Sequence, residues 1–302
     1  MGVLYTKTGE YSATLRFKNP CQKYCANIDG YYEYAHLMTA LAQTLGEGYA
    51  IHKQDVFTRK GFSEDDGQKR EFLSDAYFRY FQGREYTDSY TYLTITQENK
   101  KSKLMSYDPK KWNDFLSKIR KVKDRLRDAG IEANWLNKQE ATDFVDRFFA
   151  LNFSDKVVSM NNFKVDDERI NMGDKWAKVY SLIDIDSATV PGVIRPYTDI
   201  EVNNTSMPVD MMSIVDSIPD ADTVVFNQMI YIPNQKKELS KLETKKNRHS
   251  SMPSPSNLIA VEDIKKVQDV IARENKQLVY THYNLVVACK KDVDPQKPTN
   301  HI

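Results

Sequence analysis

The chain is poor in the residues from which catalytic and metal-binding signatures are built. None of its 11 glycines is followed by lysine. A P-loop needs that pair, because the lysine must reach the β- and γ-phosphates from a backbone cradle. The spacings GxGxxG, GxSxG and HExxH are also missing, which leaves no dinucleotide fingerprint, nucleophile elbow or zincin helix. The three cysteines, Cys21, Cys25 and Cys289, cannot all pair with one another, a usage that fits a reducing compartment. Cys21 and Cys25 stand four apart, but a structural zinc site takes four ligands and no second pair accompanies them. No apolar run approaches the roughly 18 residues of a membrane span. With a formal net charge of +1, no whole-chain field points to nucleic acid or acidic lipid, so any basic surface has to be local. His52 and His282 both fall in strand-like stretches and read as strand histidines, His52 on the polar face of an edge or half-exposed strand. No catalytic, cofactor-binding or metal-ligating residue is expected.

What remains is a globular composition. At 302 residues, 40% hydrophobic and 28% charged, the chain suits one large domain or two of about 150 residues. Tyr11, Ala13, Leu15 and Phe17 alternate as in a half-buried strand. A helix over 29–45 follows and stops at Gly46 and Gly48. Residues 49–57 read as a strand, 62–68 as a polar loop, 72–80 as a helix with a stripe of Phe72, Leu73, Ala76, Tyr77 and Tyr80, and 90–96 as a strand. That order approaches the ferredoxin-like one. Asp108-Pro109 opens a helix whose stripe runs from Trp112 to Leu126, and Asn137 with Glu140 forms a capping box for the next.

Beyond residue 152 the pattern restarts. Residues 157–170 are strand material with a turn at Asn161-Asn162, and 176–185 a strand. Pro191, Gly192, Pro196 and Pro208 mark a long loop over 187–208, followed by a short helix over 208–217 and a strand over 223–232. After a basic stretch and a Ser/Pro linker over 250–257, a helix capped by Ser256 or Asn257 leads to a last strand. Its Leu285, Val286, Val287 and Ala288 are apolar on both faces and belong inside a sheet. The expected fold is α+β: two ferredoxin-like-related halves with mainly antiparallel sheets and helices packed on one face. The halves are 1–152, with a helical bridge over 108–150, and 153–302.

Two basic clusters stand out. Lys118, Arg120, Lys121, Lys123, Arg125 and Arg127 alternate with Asp114, Asp124 and Asp128 on an amphipathic helix, the pattern of a solvated face. Lys236, Lys237, Lys241, Lys245, Lys246 and Arg248 are opposed only by Glu238 and Glu243, and only Leu239 and Leu242 can anchor them. Three readings fit this second cluster: a solvated helix, a docking patch for an acidic partner or membrane surface, or a nucleic-acid-binding module using 236–249. An RNP-like aromatic pattern is missing, which weighs against the last.

Stretches 49–57 and 280–289 resemble the N-terminal region of TraG-type conjugation ATPases of Bacteroides-type conjugative transposons, themselves similar to the VirB-type ATPases of type IV secretion. The order Gly173-Asp174 turn, strand, Pro-rich loop, TVVFNQMIYI, the basic stretch ending at His249, and a final helix and strand carries the likeness through the second half. The resemblance implies a full-length protein that energises DNA transfer, assembles as a hexamer and lies in the cytoplasm against the inner membrane. It implies ATP and Mg in a motor domain whose Walker motifs these 302 residues do not contain. It also implies that the N-terminal region is non-catalytic and docks to inner-membrane channel components. Because the phosphate cradle and its lysine are missing, the present chain is expected neither to bind nor to hydrolyse ATP.

Overall fold

The computed structural model describes every residue except 25, 64–70, 100–106, 154–162, 183–194, 211–214, 216 and 253, and the side chain of Gln22. The turn expected at Asn161-Asn162, residues 211–214 and 216 of the helix expected over 208–217, and Cys25 lie outside the described residues; 208–210 belong to a strand and not to that helix. The fold is α+β with mainly antiparallel sheets. Its strands are β1 (Leu4–Tyr5), β2 (Tyr11–Lys18), β3 (Tyr49–Gly61), β4 (Glu85–Gln97), β5 (Asn134–Trp135), β6 (Phe163–Val165), β7 (Ile170–Met172), β8 (Lys175–Ser181), β9 (Tyr197–Val202), β10 (Thr205–Asp210), β11 (Thr223–Ile232) and β12 (Tyr280–Lys290). The helices are α1 (Cys21–Tyr24), α2 (Ile28–Leu45), α3 (Phe72–Phe81), α4 (Pro109–Asp128), α5 (Lys138–Ala150), α6 (Gln235–Ser251), α7 (Pro255–Glu274) and α8 (Gln296–His301).

One antiparallel sheet takes strands from both halves of the sequence, in the order β1-β2-β4-β3-β11-β12-β8-β7-β6, with β5 also on β2. β11 is the seam. It pairs with β3 from Thr223↔Thr58 to Ile232↔Tyr49 on one side and with β12 on the other. Side chains alternate between the faces, so neighbours in sequence report opposite layers. On one face Tyr11, Leu15, Ile51, Leu93 and Ile95 pack against Leu41 and Leu45 of α2 and Phe115, Ile119, Val122 and Leu126 of α4. Further along that face, Trp176, Val224, Val287 and Cys289 gather around Ile218 and Ala221. On the other face Val56, Tyr92, Val225 and Ala288 meet Phe144 and Phe148 of α5. The bridge helices α4 and α5 thus cover opposite faces. The expectation of helices on one face is corrected here, because Leu93 and Tyr92 are both core residues and each needs a cover.

The caps read at Asp108 and Asn137 are in place. Asp108 accepts from the N–H groups of Lys110 and Lys111 with Pro109 at the first position, and Asn137 and Glu140 form a reciprocal capping box. Two other expectations change. The loop over 187–208 contains the β9–β10 hairpin, whose turn residues Asn203 and Asn204 both have positive φ, 49° and 61°. Paired left-handed residues make the two-residue turn that antiparallel strands favour, and Pro208 is tolerated because β10 pairs on one side only. The stripe of α3 is not core: Phe72 and Leu73 are 84% and 80% exposed.

β3 is a central strand, not an edge or half-exposed one, although its middle is polar. Lys53 and Asp55 share the α4 face and are buried as an ion pair. Asp55 also accepts from Thr91 of β4 (2.6 Å) and from Asn19 (3.2 Å), and Lys53 donates to Gln228 of β11 (3.2 Å). Every charge thereby meets a partner, the condition for burying one. Asp55→Ala, which strands Lys53 in the core, is expected to cost roughly 3–5 kcal/mol in urea unfolding, whereas Lys53→Met with Asp55→Leu recovers most of it.

On the opposite face His52, Gln54 and Asn227 form a second polar row. Asn227 Oδ1 accepts from Gln54 (2.9 Å), its Nδ2 donates to Asn284 (2.7 Å), and His52 Nε2 lies 3.3 Å from Asn227 Oδ1. Burial lowers the His52 pKa below its ordinary 6.5, and the Asn227 contact opposes that only in part. The unfolded chain therefore takes up a proton at higher pH than the folded one, so stability is complete above about pH 6.5 and declines as pH falls through that value. His52→Gln is expected to remove this component from the pH dependence of chemical unfolding between pH 7.5 and 5.

Candidate docking surface

β11 and β12 are adjacent antiparallel strands, yet residues 233–279 separate them. Most of that segment is a helical hairpin. Asn234 caps α6 by accepting from the N–H of Lys237, and Pro233 before it ends the strand. Gln235 fastens the base: its Nε2 donates to the carbonyls of Pro233 and Leu278 (2.9 Å each), and its Oε1 accepts from the N–H of Leu278 (2.8 Å). Glu47, just after α2, accepts from Asn234 Nδ2 and from the Gln235 N–H. Tyr280 donates to Glu238 (2.6 Å). Beyond this base, among the described residues, the two helices pack chiefly on each other.

The stretch expected to be a Ser/Pro linker is the hairpin's tight turn. Ser250 and Ser251 still belong to α6. Ser254, rather than Ser256 or Asn257, caps α7 with Pro255 at the first helical position, where its missing N–H costs nothing. His249 and Asn257 meet across the turn at 2.8 Å. Asn275 ends α7 in the left-handed region, φ 51°. Only Ile264 is fully buried in α7, while Leu258, Ile259, Val267 and Val270 remain exposed.

The six candidate residues separate. Lys237, Lys241, Lys245 and Arg248 fall at i, i+4, i+8 and i+11, which places them on one side of α6. Lys241 pairs with Glu238 at 2.7 Å. That contact, followed by the Tyr280 hydrogen bond, holds the Glu238 carboxyl below the usual range. Among the described residues no carboxylate pairs with Lys237, Lys245 or Arg248. Lys236 is exposed on another side. Lys246 turns inward to Glu243 (2.5 Å) and to Gln268 of α7 (3.3 Å), so it is an inter-helix contact rather than part of the patch. The sequence reading missed the Gln235 clamp and the exposed apolar residues at the hairpin end, Met252, Leu258 and Ile259. The Ser254-Pro255 cap pair was the available signal for the turn.

Burial pushes the thiols of Cys21 and Cys289 up to about 12, where little thiolate exists at neutral pH. His282 is exposed on β12. Among the described residues no group of three or more His, Cys, Asp or Glu could hold a metal ion, and no helix is long and apolar enough to cross a membrane. No protein-family model matches the chain, and no curated protein matches it at a significant level.

The two lysine roles separate experimentally. Lys246→Ala is expected to speed amide exchange in both helices of the hairpin, because it removes contacts to Glu243 and Gln268. Lys245→Ala is expected to leave exchange unchanged.

Proposed function

We propose that this chain is a non-catalytic docking region of a conjugation ATPase of the TraG type, lying in the cytoplasm against the inner membrane and linking a motor to channel components. The observation that carries the reading is the hairpin over 233–279. Joining β11 to β12 requires only a two-residue turn, and the residues inserted there add one buried apolar side chain to α7 and none to α6. A segment that contributes so little to the core and presents a basic stripe beside exposed apolar side chains suits contact with another molecule. Its electrostatic part favours an acidic partner face or an anionic leaflet.

The test replaces Lys237, Lys241, Lys245 and Arg248 together by Gln. The thermal melt is expected to stay where it is, as for ordinary surface changes. Retention by inner-membrane channel components, or by anionic vesicles, is expected to fall at low salt and to be weak for the parent protein at high salt. Equal retention of parent and variant would sink the docking role. Loss of oligonucleotide binding alone would favour the nucleic-acid module instead.

A further inference from the structure

A cavity of about 530 Å³ opens on the α5 face of the sheet, at the end of β3 remote from the helical hairpin. Its floor is built by β2, β3 and β4. The Arg16 guanidinium sits 4.0 Å from the centre of the Tyr90 ring and 5.7 Å from that of Tyr92. A guanidinium held over a ring keeps its N–H edge available as a fork for an oxyanion, and among the described residues no carboxylate pairs with Arg16. Lys18 and Lys60 share one carboxylate, that of Asp88, at 3.5 and 2.8 Å. Burial pushes the Asp88 carboxyl up, but the Lys60 hydrogen bond and the two lysine charges outweigh it and hold it below the ordinary range. Burial also raises the Tyr92 phenol, and Arg16, Arg147 and Lys60 oppose that rise with their charge.

The facing wall comes from β5 and α5. Phe144 stacks on Tyr92 at 4.3 Å, and Leu136 lines the same cavity. Glu132, Glu140, Asp143 and Arg147 also line it. Glu140 already accepts from the Asn137 N–H and Asp143 from Gln139. The cavity thus carries Arg16, Lys18, Lys60 and Asp88 on its floor, and three carboxylates, Arg147 and Phe144 on its wall.

We propose that this cavity seats a short acidic peptide segment of a partner protein, with one carboxylate on the Arg16 fork beside Lys18 and the adjoining apolar side chain against Phe144. Small-molecule sites are mostly apolar with a few polar groups, whereas this one is lined by ionisable side chains of both signs. A nucleic-acid strand would bring its phosphates against Asp88, Glu132 and Asp143. A peptide brings carboxylates to the floor and backbone N–H groups to the wall. The site is separate from the hairpin, and neither reading depends on the other.

The probe is a blocked, dye-labelled decapeptide alternating glutamate and leucine, followed by fluorescence anisotropy on the 302-residue chain. Its glutamine–leucine counterpart, inorganic phosphate and a ten-nucleotide thymidine strand serve as competitors. The acidic peptide is expected to bind at least about tenfold more tightly than its glutamine counterpart, as a charge-assisted fork requires. Arg16→Gln is expected to abolish that preference and Arg16→Lys to keep part of it. The quadruple glutamine variant of α6 is expected to bind as the parent does. Equal binding of the two peptides, indifference to Arg16→Gln, or no binding at millimolar peptide would overturn the proposal. So would stronger competition by the thymidine strand or by phosphate than by unlabelled acidic peptide, or loss of binding in the α6 variant with Arg16 intact. Should Arg16→Gln fail to fold, Arg16→Lys decides, and binding unchanged in it would overturn the fork.

Discussion

The structure depends on how β11 is held between β3 and β12. Strands separated by more than 160 positions have to find one register, and a slip by one residue would move every side chain to the opposite face of the sheet. Apolar packing alone tolerates sliding between similar residues. A buried pair of charges does not, because Lys53 and Asp55 are satisfied only where Gln228, Thr91 and Asn19 face them. The row of His52, Gln54, Asn227 and Asn284 on the other face repeats the constraint across β3, β11 and β12. Polar groups at the centre of the sheet thus contribute specificity of pairing more than net stability.

Once that seam is fixed, the connection between β11 and β12 is free of structural duty. The chain spends residues 233–279 on a hairpin clamped at its base by Gln235, Glu47 and Tyr280. The β3–β4 connection behaves alike, carrying α3 with Phe72 and Leu73 exposed. Both excursions leave apolar side chains uncovered, which a sheet of this size does not need for its own stability. The cavity under α5 lies at the other end of the seam, so the central strands carry distinct surfaces at their two ends.

Local signals in the sequence were legible where local physics sets the outcome. The caps at Asp108 and Asn137, the strand at β12 and the stripe of α4 follow from side chains a few positions apart. Pairing of β3 with β11 leaves no such trace, so a single sheet shared by both halves could not be read from periodicity. Periodicity also failed to separate a buried stripe from an exposed one at α3, since spacing says nothing about what covers a face. In the patch, helical spacing alone would have grouped Lys237, Lys241, Lys245 and Arg248. That Lys246 turns inward depends on Gln268, twenty-two positions away. Pro191, Gly192, Pro196 and Pro208 obscure the β9–β10 hairpin, whose local signal is the Asn203-Asn204 pair.

The central claim is that the hairpin serves contact and not folding. Tyr231 pairs with Tyr280, so replacing residues 233–278 by Asn-Gly leaves a two-residue turn of the favoured type between Ile232 and Val279. Thermal unfolding of this shortened chain, followed together with its retention by inner-membrane channel components, is the most direct test. The account predicts a cooperative melt close to that of the parent, with retention lost. A shortened chain that unfolds, or one that is retained as well as the parent, would contradict it.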